Sequence, residues 1–253
     1  MKKTTLVIPL LVLVLGGIPA QERLNVAAAA NISSLAPELG SAFAATYPAY
    51  RVDFTFGASG TLVTQILHGS PARVFLSADL GFAQKIVDAG EAAGPVRTYA
   101  YGKLILLSTH RLDFSKGLAV LEDPSLVRVA IANPETAPYG KAAMQALGAA
   151  GILERVKDRL VMAQDISQTL QFTLTGAEAG FVNKSVLRSA AIKAYDKEGI
   201  YWIAIDPALY SPIAQGFVLT KAAAADPAAL AFADFLLSPE AGDIFSSFGY
   251  GRP

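Results

Sequence analysis

The stretch LNVAAAANISSLAPEL (residues 24–39) shows the pattern from which the fold can be argued. An apolar run at residues 24–29 predicts a β-strand, and Leu35, Leu39 and Phe43 follow at the spacing of an amphipathic helix over residues 33–47. Between strand and helix lies AAAANIS (residues 27–33), which is built from small, neutral residues. A helix that begins here directs free N–H groups, and the positive end of its dipole, to the end of the strand.

Three further segments have the same position and composition. They are FGASGT (residues 56–61), NPETAPYG (residues 133–140) and AQDISQ (residues 163–168), and none contains lysine or arginine. Each helix N-terminus behaves like roughly half a positive charge, so four meeting at one point would nearly balance a dianion. The sequence therefore predicts a site that holds a small oxyanion without a formally charged side chain.

Strand-like and helix-like runs alternate through almost the whole chain. Strands are predicted at residues 24–29, 51–56, 73–78, 101–109, 126–132, 159–163, 180–182 and 215–220. Helices are predicted at residues 33–47, 60–68, 80–89, 139–147, 167–175, 184–194, 229–237 and 239–248. This alternation predicts an α/β fold of mostly parallel sheets flanked by helices.

The pattern restarts after the predicted strand at residues 101–109, and the two terminal helices have no sheet of their own. We therefore expect two lobes, with lobe I at residues 21–100 plus 213–253 and lobe II, at residues 101–212, inserted into it. Two lobes joined by two crossings form a clamp. Ligands of open α/β sheets bind at the carboxyl ends of strands, which is where all four segments lie.

The first twenty residues read as a secretory signal. Lys2 and Lys3 precede an apolar run at residues 6–18 that ends at Pro19 and Ala20. The run is short for a membrane span of about 20 residues, although an uncleaved anchor is the alternative. The chain has no cysteine, which removes the acceptor for a lipid anchor at the signal junction. We expect a signal peptide at residues 1–20 and a soluble protein in the periplasm.

Composition excludes several function classes. The chain has 21 lysines and arginines and 21 aspartates and glutamates, and the zero net charge argues against nucleic acid or an anionic membrane as partner. His68 and His110 are the only histidines and stand in no metal-binding spacing. Ser59 lacks the second glycine of a nucleophile elbow, since position 61 is threonine. We expect no enzyme, no cofactor and no metal bound as a cation.

Four residues within the segments are candidates for direct ligand contact. Asn31 is either an N-cap or a donor to the ligand, and Ser59 either a cap or a donor through its hydroxyl and N–H groups. Tyr139 is either a core tyrosine or a phenol that donates across the cleft. Only the N–H group of Ile166 would matter, because Asp165 before it is a plausible cap and a poor ligand for an anion.

With these residues in view, the chain resembles the periplasmic molybdate-binding (ModA) family of ABC-importer receptors from about residue 24 to residue 251. The resemblance is carried by residues 26–31, GASGTLVTQ (57–65), GSPARVFLSAD (69–79), and residues 101–107, 133–140 and 237–249. It implies a type II periplasmic-binding fold that closes on molybdate or tungstate and hands it, as a monomer, to a membrane permease. The positions that it implies for the ligand are Ala30, Asn31, Ser59, Tyr139 and Ile166.

The chain departs from the usual pattern of that family at three positions. Many members carry serine where Ala30 stands and tyrosine where Asn183 stands, and Asn31 and Tyr139 could supply the missing donors, as in a variant subgroup. Arg73, where many members have aspartate, is expected outside the pocket. The alternative is a binding protein for sulfate, phosphate or a carboxylate, which an arginine or aspartate lining the cleft would favour.

Overall fold

The protein is described by a computed structural model that covers residues 21–253, so the predicted signal peptide lies outside the described residues. Their strands are β1 (Glu22–Ala29), β2 (Tyr50–Gly57), β3 (Val74–Ser77), β4 (Arg97–Gly102), β5 (Leu104–Leu107), β6 (Val129–Ala132), β7 (Leu160–Ala163), β8 (Ala179–Asn183), β9 (Trp202–Ala204) and β10 (Ile213–Leu219). Their α-helices are α1 (Ala36–Thr46), α2 (Ser59–Leu67), α3 (Leu80–Asp88), α4 (Pro138–Ala149), α5 (Leu153–Val156), α6 (Ile166–Thr175), α7 (Pro227–Leu236) and α8 (Pro239–Ser247).

The strands form two five-stranded sheets, ordered β2-β1-β3-β10-β4 and β7-β6-β8-β5-β9. In the first, β1 is parallel to β2 and β3, and β10 is antiparallel to β3 and β4. In the second, β6 is parallel to β7 and β8, and β5 is antiparallel to β8 and β9. Each sheet thus has one reversed strand, and the predicted two-lobe α/β fold with mostly parallel sheets is confirmed.

The two reversed strands follow from how the chain crosses between the lobes. Only Lys103 separates β4 in the first sheet from β5 in the second. A chain that leaves one sheet at its carboxyl edge enters the facing sheet from that sheet's carboxyl edge, and so runs against its neighbours. The single strand predicted at residues 101–109 is therefore wrong, because an apolar run does not show where a chain changes sheets.

A second prediction also fails. The helix expected at residues 184–194 is two short 3₁₀ segments, Lys184–Arg188 and Ala190–Tyr195. Ser189 between them is extended, with ψ at 140°, and its side chain caps the second segment at the N–H of Ala191. The strand β9 was not predicted, since three residues are too few to show an alternating pattern.

Each sheet has its own apolar core. In the core of the first sheet, the C-terminal helix α7 packs against α1. Phe43 of α1 meets Phe232 of α7 edge-on, with ring centroids 5.1 Å apart. In the second, Leu106 of β5 and Phe181 of β8 are fully buried. That second core continues across the cleft to small residues of the first lobe, Ala29, Ala58 and Ala78. The lobes are therefore in contact, with the carboxyl ends of their parallel strands facing each other.

No helix among residues 21–253 is long and apolar enough to cross a bilayer.

Candidate functional site

The four segments converge on one pocket between the lobes. Its lining is Ala29, Ala30, Asn31, Gly57, Ala58, Ser59, Ala78, Ala137, Pro138, Tyr139, Asp165 and Ile166. Every residue that the sequence suggested for the ligand, from Ala30 to Ile166, is in this set. No lysine or arginine within residues 21–253 lines the pocket, so positive potential there comes from oriented backbone and hydroxyl groups.

Most helices that begin at this pocket lack the side-chain caps found elsewhere in the molecule. The N-cap positions of the 3₁₀ turn Ala30–Ile32, of α2 and of α4 are alanines, and no side chain bonds to these helix starts. The helices α3, α7 and α8, by contrast, are capped by Asp79, Asp226 and Ser238. Alanine is among the poorest N-cap residues. The helix starts at the pocket therefore have no side-chain cap that competes with a ligand for their N–H groups.

The helix α6 is capped in a way that spares one N–H group. Asp165 Oδ1 accepts from the N–H groups of Ser167 at 2.9 Å and of Gln168 at 3.0 Å. Within residues 21–253 the N–H of Ile166 has no such partner. Asp165 is one of the residues that line the pocket, and the carboxylate oxygen that caps the helix already accepts two hydrogen bonds.

Ser59 offers a hydroxyl proton to the pocket because its oxygen already acts as an acceptor. The side chain is buried, and Oγ accepts from the N–H of Ala78 at 3.0 Å. Its own proton is free to point elsewhere. The next residue, Gly60, donates its N–H across the cleft to the carbonyl of Thr136 at 2.9 Å. A β-carbon at Gly60 would lie 3.1 Å from Thr136 Cα, so the close approach of the lobes here depends on glycine.

Tyr139 brings a buried hydroxyl that has no hydrogen-bond partner among the described residues. Burial, reinforced by the nearby Tyr250 and Tyr99, raises its pKa well above the usual value. It therefore remains a neutral donor at any physiological pH. A buried polar group without a partner costs about 1–3 kcal/mol, which an oxyanion oxygen would recover. Gly102 leaves room for this phenol, since a β-carbon there would overlap the hydroxyl.

Asn31 is held by residues that the sequence did not single out. Its Nδ2 donates to Gln215 Oε1 at 2.9 Å and to the Tyr250 hydroxyl at 2.8 Å. Gln215 is oriented in turn, because its Nε2 donates to the carbonyls of Ala78 and Ile213. Both amide hydrogens of Asn31 are thus used within the protein, and the donor that this residue can offer a ligand is its backbone N–H. The one available signal was a glutamine inside the apolar strand IAQGFVL.

Comparison with known proteins places this architecture in a family. The family described as "Bacterial extracellular solute-binding protein" matches residues 24–251. The chain belongs to this family of solute-binding proteins. A molybdate-binding protein ModA of Rhodobacter capsulatus is 41% identical over 228 residues, covering 88% of this chain and 86% of the relative. That of Azotobacter vinelandii is 37% identical over 230 residues, covering 90% and 89%.

Solved structures agree with this solute-binding fold. The Azotobacter vinelandii periplasmic molybdate-binding protein superposes with a TM-score of 0.83 at 33% identity, covering 91% of this chain and 99% of that one. A sulfate-binding protein, SubI of Mycobacterium tuberculosis, superposes with a TM-score of 0.75 at 15% identity, covering 91% and 86%, and shows the fold alone. The family and both relatives are described as binding proteins, so this solute-binding protein is not an enzyme, as the sequence predicted.

Two residues at which this solute-binding protein departs from the resembled pattern lie outside the pocket lining. Asn183 is buried and donates through Nδ2 to the carbonyl oxygen of Asn31 at 2.9 Å. Arg73 pairs with Asp226 at 3.5 Å. Neither brings a charge to the ligand, and the pocket keeps its neutral lining apart from Asp165.

Proposed function

We propose that this solute-binding protein captures molybdate or tungstate and delivers it to the membrane permease of an ABC importer. The observation that carries the proposal is an inter-lobe pocket that holds the unpartnered hydroxyl of Tyr139 and the unpartnered N–H of Ile166, and that no lysine or arginine within residues 21–253 lines. The two relatives at 41% and 37% identity, both molybdate-binding proteins, support the same ligand.

The two lobes divide the donors between them. The first lobe contributes the N–H of Asn31 and both donors of Ser59, with Ala30 as an apolar wall beside them. The second contributes the phenol of Tyr139 and the N–H of Ile166. In a dry pocket each such donor acts in a low dielectric, where it is worth more than in water. Since almost every oxygen would meet a hydrogen, the site favours a fully deprotonated tetrahedral dianion held when the lobes close.

The division into lobes and the cellular location belong to the same proposal. Lobe I would be residues 21–100 plus 213–253 and lobe II residues 101–212, a division supported by the membership of the two sheets, with β4 reaching two residues further. Removal of residues 1–20 would release a monomer into the periplasm, since the chain has no cysteine for a lipid anchor. The even balance of charge gives it no affinity for nucleic acid.

Selectivity tests the proposal most directly. Sulfate and phosphate share the tetrahedral shape, so discrimination rests on cavity size. Isothermal titration of the purified chain is expected to show molybdate and tungstate binding at least about a hundredfold more tightly than sulfate, a difference of roughly 2.8 kcal/mol. Equal affinity for sulfate would contradict the assignment.

Phosphate is the second candidate, because Asp165 gives the pocket one carboxylate that could accept a ligand proton. In that case phosphate would bind best, and Asp165→Asn would weaken phosphate much more than molybdate. The titration with four anions on both proteins separates the two functions.

Removal of the Ser59 hydroxyl should weaken binding strongly. Ser59→Ala deletes a donor to a charged ligand, worth about 1.5–3 kcal/mol, and we expect an affinity loss of roughly 10–150-fold by calorimetry. Ser108→Ala is the matched control, because Ser108 is buried like Ser59 and its hydroxyl oxygen likewise accepts from a backbone N–H, here of His110. The Ser108 hydroxyl donates to the carbonyl of Glu178. The control should lose stability and keep its affinity. Equal binding by both variants would remove Ser59 from the site.

A further inference from the structure

The carbonyl groups of the 3₁₀ turn after β1 face the second lobe. The oxygen of Ala30 accepts from Ser167 Oγ at 3.2 Å. The oxygen of Asn31 accepts from Asn183 Nδ2 at 2.9 Å and from Ser185 Oγ at 3.1 Å. These donors lie at the start of α6, at the end of β8 and in the 3₁₀ segment that follows β8, whereas the turn belongs to the first lobe. One buried turn therefore carries three side-chain hydrogen bonds between the lobes.

The ligand and the second lobe act on opposite ends of one peptide group. The carbonyl of Ala30 and the N–H of Asn31 belong to the same peptide unit. Ser167 donates to the oxygen of this unit, and Asn31 is one of the residues that line the pocket. A hydrogen bond accepted by the carbonyl polarises the peptide and strengthens its N–H as a donor. Lobe contact and anion binding at this turn thus reinforce each other.

We infer that Ser167, Asn183 and Ser185 form a closing latch, which holds the second lobe on the turn and slows release of the bound oxyanion. The inference rests on the proposed function. The three are positioning residues, since neither Asn183 nor the two serines line the pocket. When the lobes separate, water can replace these partners, and the Asn31 carbonyl keeps the hydroxyl of Tyr250 from its own lobe at 2.9 Å. Each bond of the latch is therefore worth only about two- to twelvefold in an equilibrium constant. The latch is strong enough to prolong closure and weak enough to open.

Dissociation kinetics test the latch. Because the chain has no cysteine, Thr55→Cys and Met162→Cys place a fluorescent donor–acceptor pair on exposed residues of the two edge strands, β2 and β7. In stopped-flow with molybdate as the probe, adding Ser167→Ala and Ser185→Ala should raise the dissociation rate about tenfold and leave the association rate within twofold. Binding precedes closure, and for that reason the association rate does not depend on the latch.

The control variant is Thr175→Ala, which removes a hydroxyl from the other end of α6 that bonds only to the carbonyl of Gln171. It should keep both rates. Unchanged dissociation in the double serine variant, or a change confined to association, would overturn the latch. A variant that is merely less stable would not raise the dissociation rate of molybdate while leaving its association rate unchanged.

Failure of the proposed function gives a different result. If the labelled parent protein shows no response to molybdate, the ligand assignment is wrong. The latch is then judged from the distance distribution of the ligand-free proteins: a closed population that falls in the double serine variant supports it, and equal populations refute it.

Discussion

Gly140→Ala is expected to lower the free energy of unfolding by about 3 kcal/mol or more, because a β-carbon at this position would overlap backbone atoms of the neighbouring strand. Gly140 is in the first turn of α4, where the helix lies directly against the end of β6. The added carbon would overlap the carbonyl oxygen of Ala132 and lie 2.7 Å from its carbonyl carbon and 3.1 Å from that of Asn133. Backbone atoms cannot move aside as a flexible side chain can, so the helix start must shift.

The matched control lies in the same helix. Gly148 is exposed, and a β-carbon there meets nothing within 4 Å. Gly148→Ala should therefore stabilise the protein by about 0.5–1 kcal/mol through the higher helix propensity of alanine. In thermal melts the melting temperature of the Gly140→Ala variant should be lower than that of the parent by roughly 6–12 °C. That of the Gly148→Ala variant should be higher by about 1–4 °C. Melting temperatures that move in the same direction would show that α4 does not pack on β6 so closely.

Gly140→Ala has a second expected effect, on binding. The adjacent Tyr139 lines the pocket, and its place depends on how closely α4 approaches the sheet. A displaced helix start moves the phenol and the first-turn N–H groups together. We expect weaker molybdate binding in this variant, measured at a temperature where it is still folded, and unchanged binding in Gly148→Ala.

Stability should fall steeply at alkaline pH. Tyr99, Tyr139 and Tyr250 are fully buried, and desolvation raises the pKa of each. In the unfolded chain tyrosine ionises near pH 10. Above that pH the folded state holds more protons than the unfolded state. The contribution of these tyrosines to the free energy of unfolding is therefore fully present below about pH 10 and is lost as the pH rises toward their folded-state pKa values. Each tyrosine contributes a loss of up to about 1.4 kcal/mol per pH unit, and three contribute about 4.

Urea denaturation followed by circular dichroism at pH 8, 10, 11 and 11.5 measures this slope. Tyr99→Phe removes one of the three groups, whose hydroxyl makes only long hydrogen bonds of 3.4 Å to the carbonyl of Ser77 and to Gln215. The fall in its stability above pH 10 should be shallower than that of the parent. An unchanged slope in Tyr99→Phe would show that this phenol ionises equally in both states.

Much of the site was predictable because it is made of local structure. The runs at residues 27–33 and 56–61 each join a strand to a helix, and their small residues admit close approach of a ligand. Parallel strands bring their carboxyl ends to one edge, so segments of this kind meet without knowledge of individual contacts. The predicted elements around β1, α2 and α6 agree with the structure to within a few residues.

The sequence by itself determined the α/β alternation, the two lobes and the small, mostly uncharged residues of the four segments at the pocket, since these follow from periodicity and from residues adjacent along the chain. Only the tertiary structure decided how the side chains at the pocket are oriented. Asn31 is oriented by Gln215, 184 positions away, and by Tyr250, 219 positions away. No periodic pattern in the sequence predicts hydrogen bonds over such separations, because they depend on where the chain crosses between the sheets.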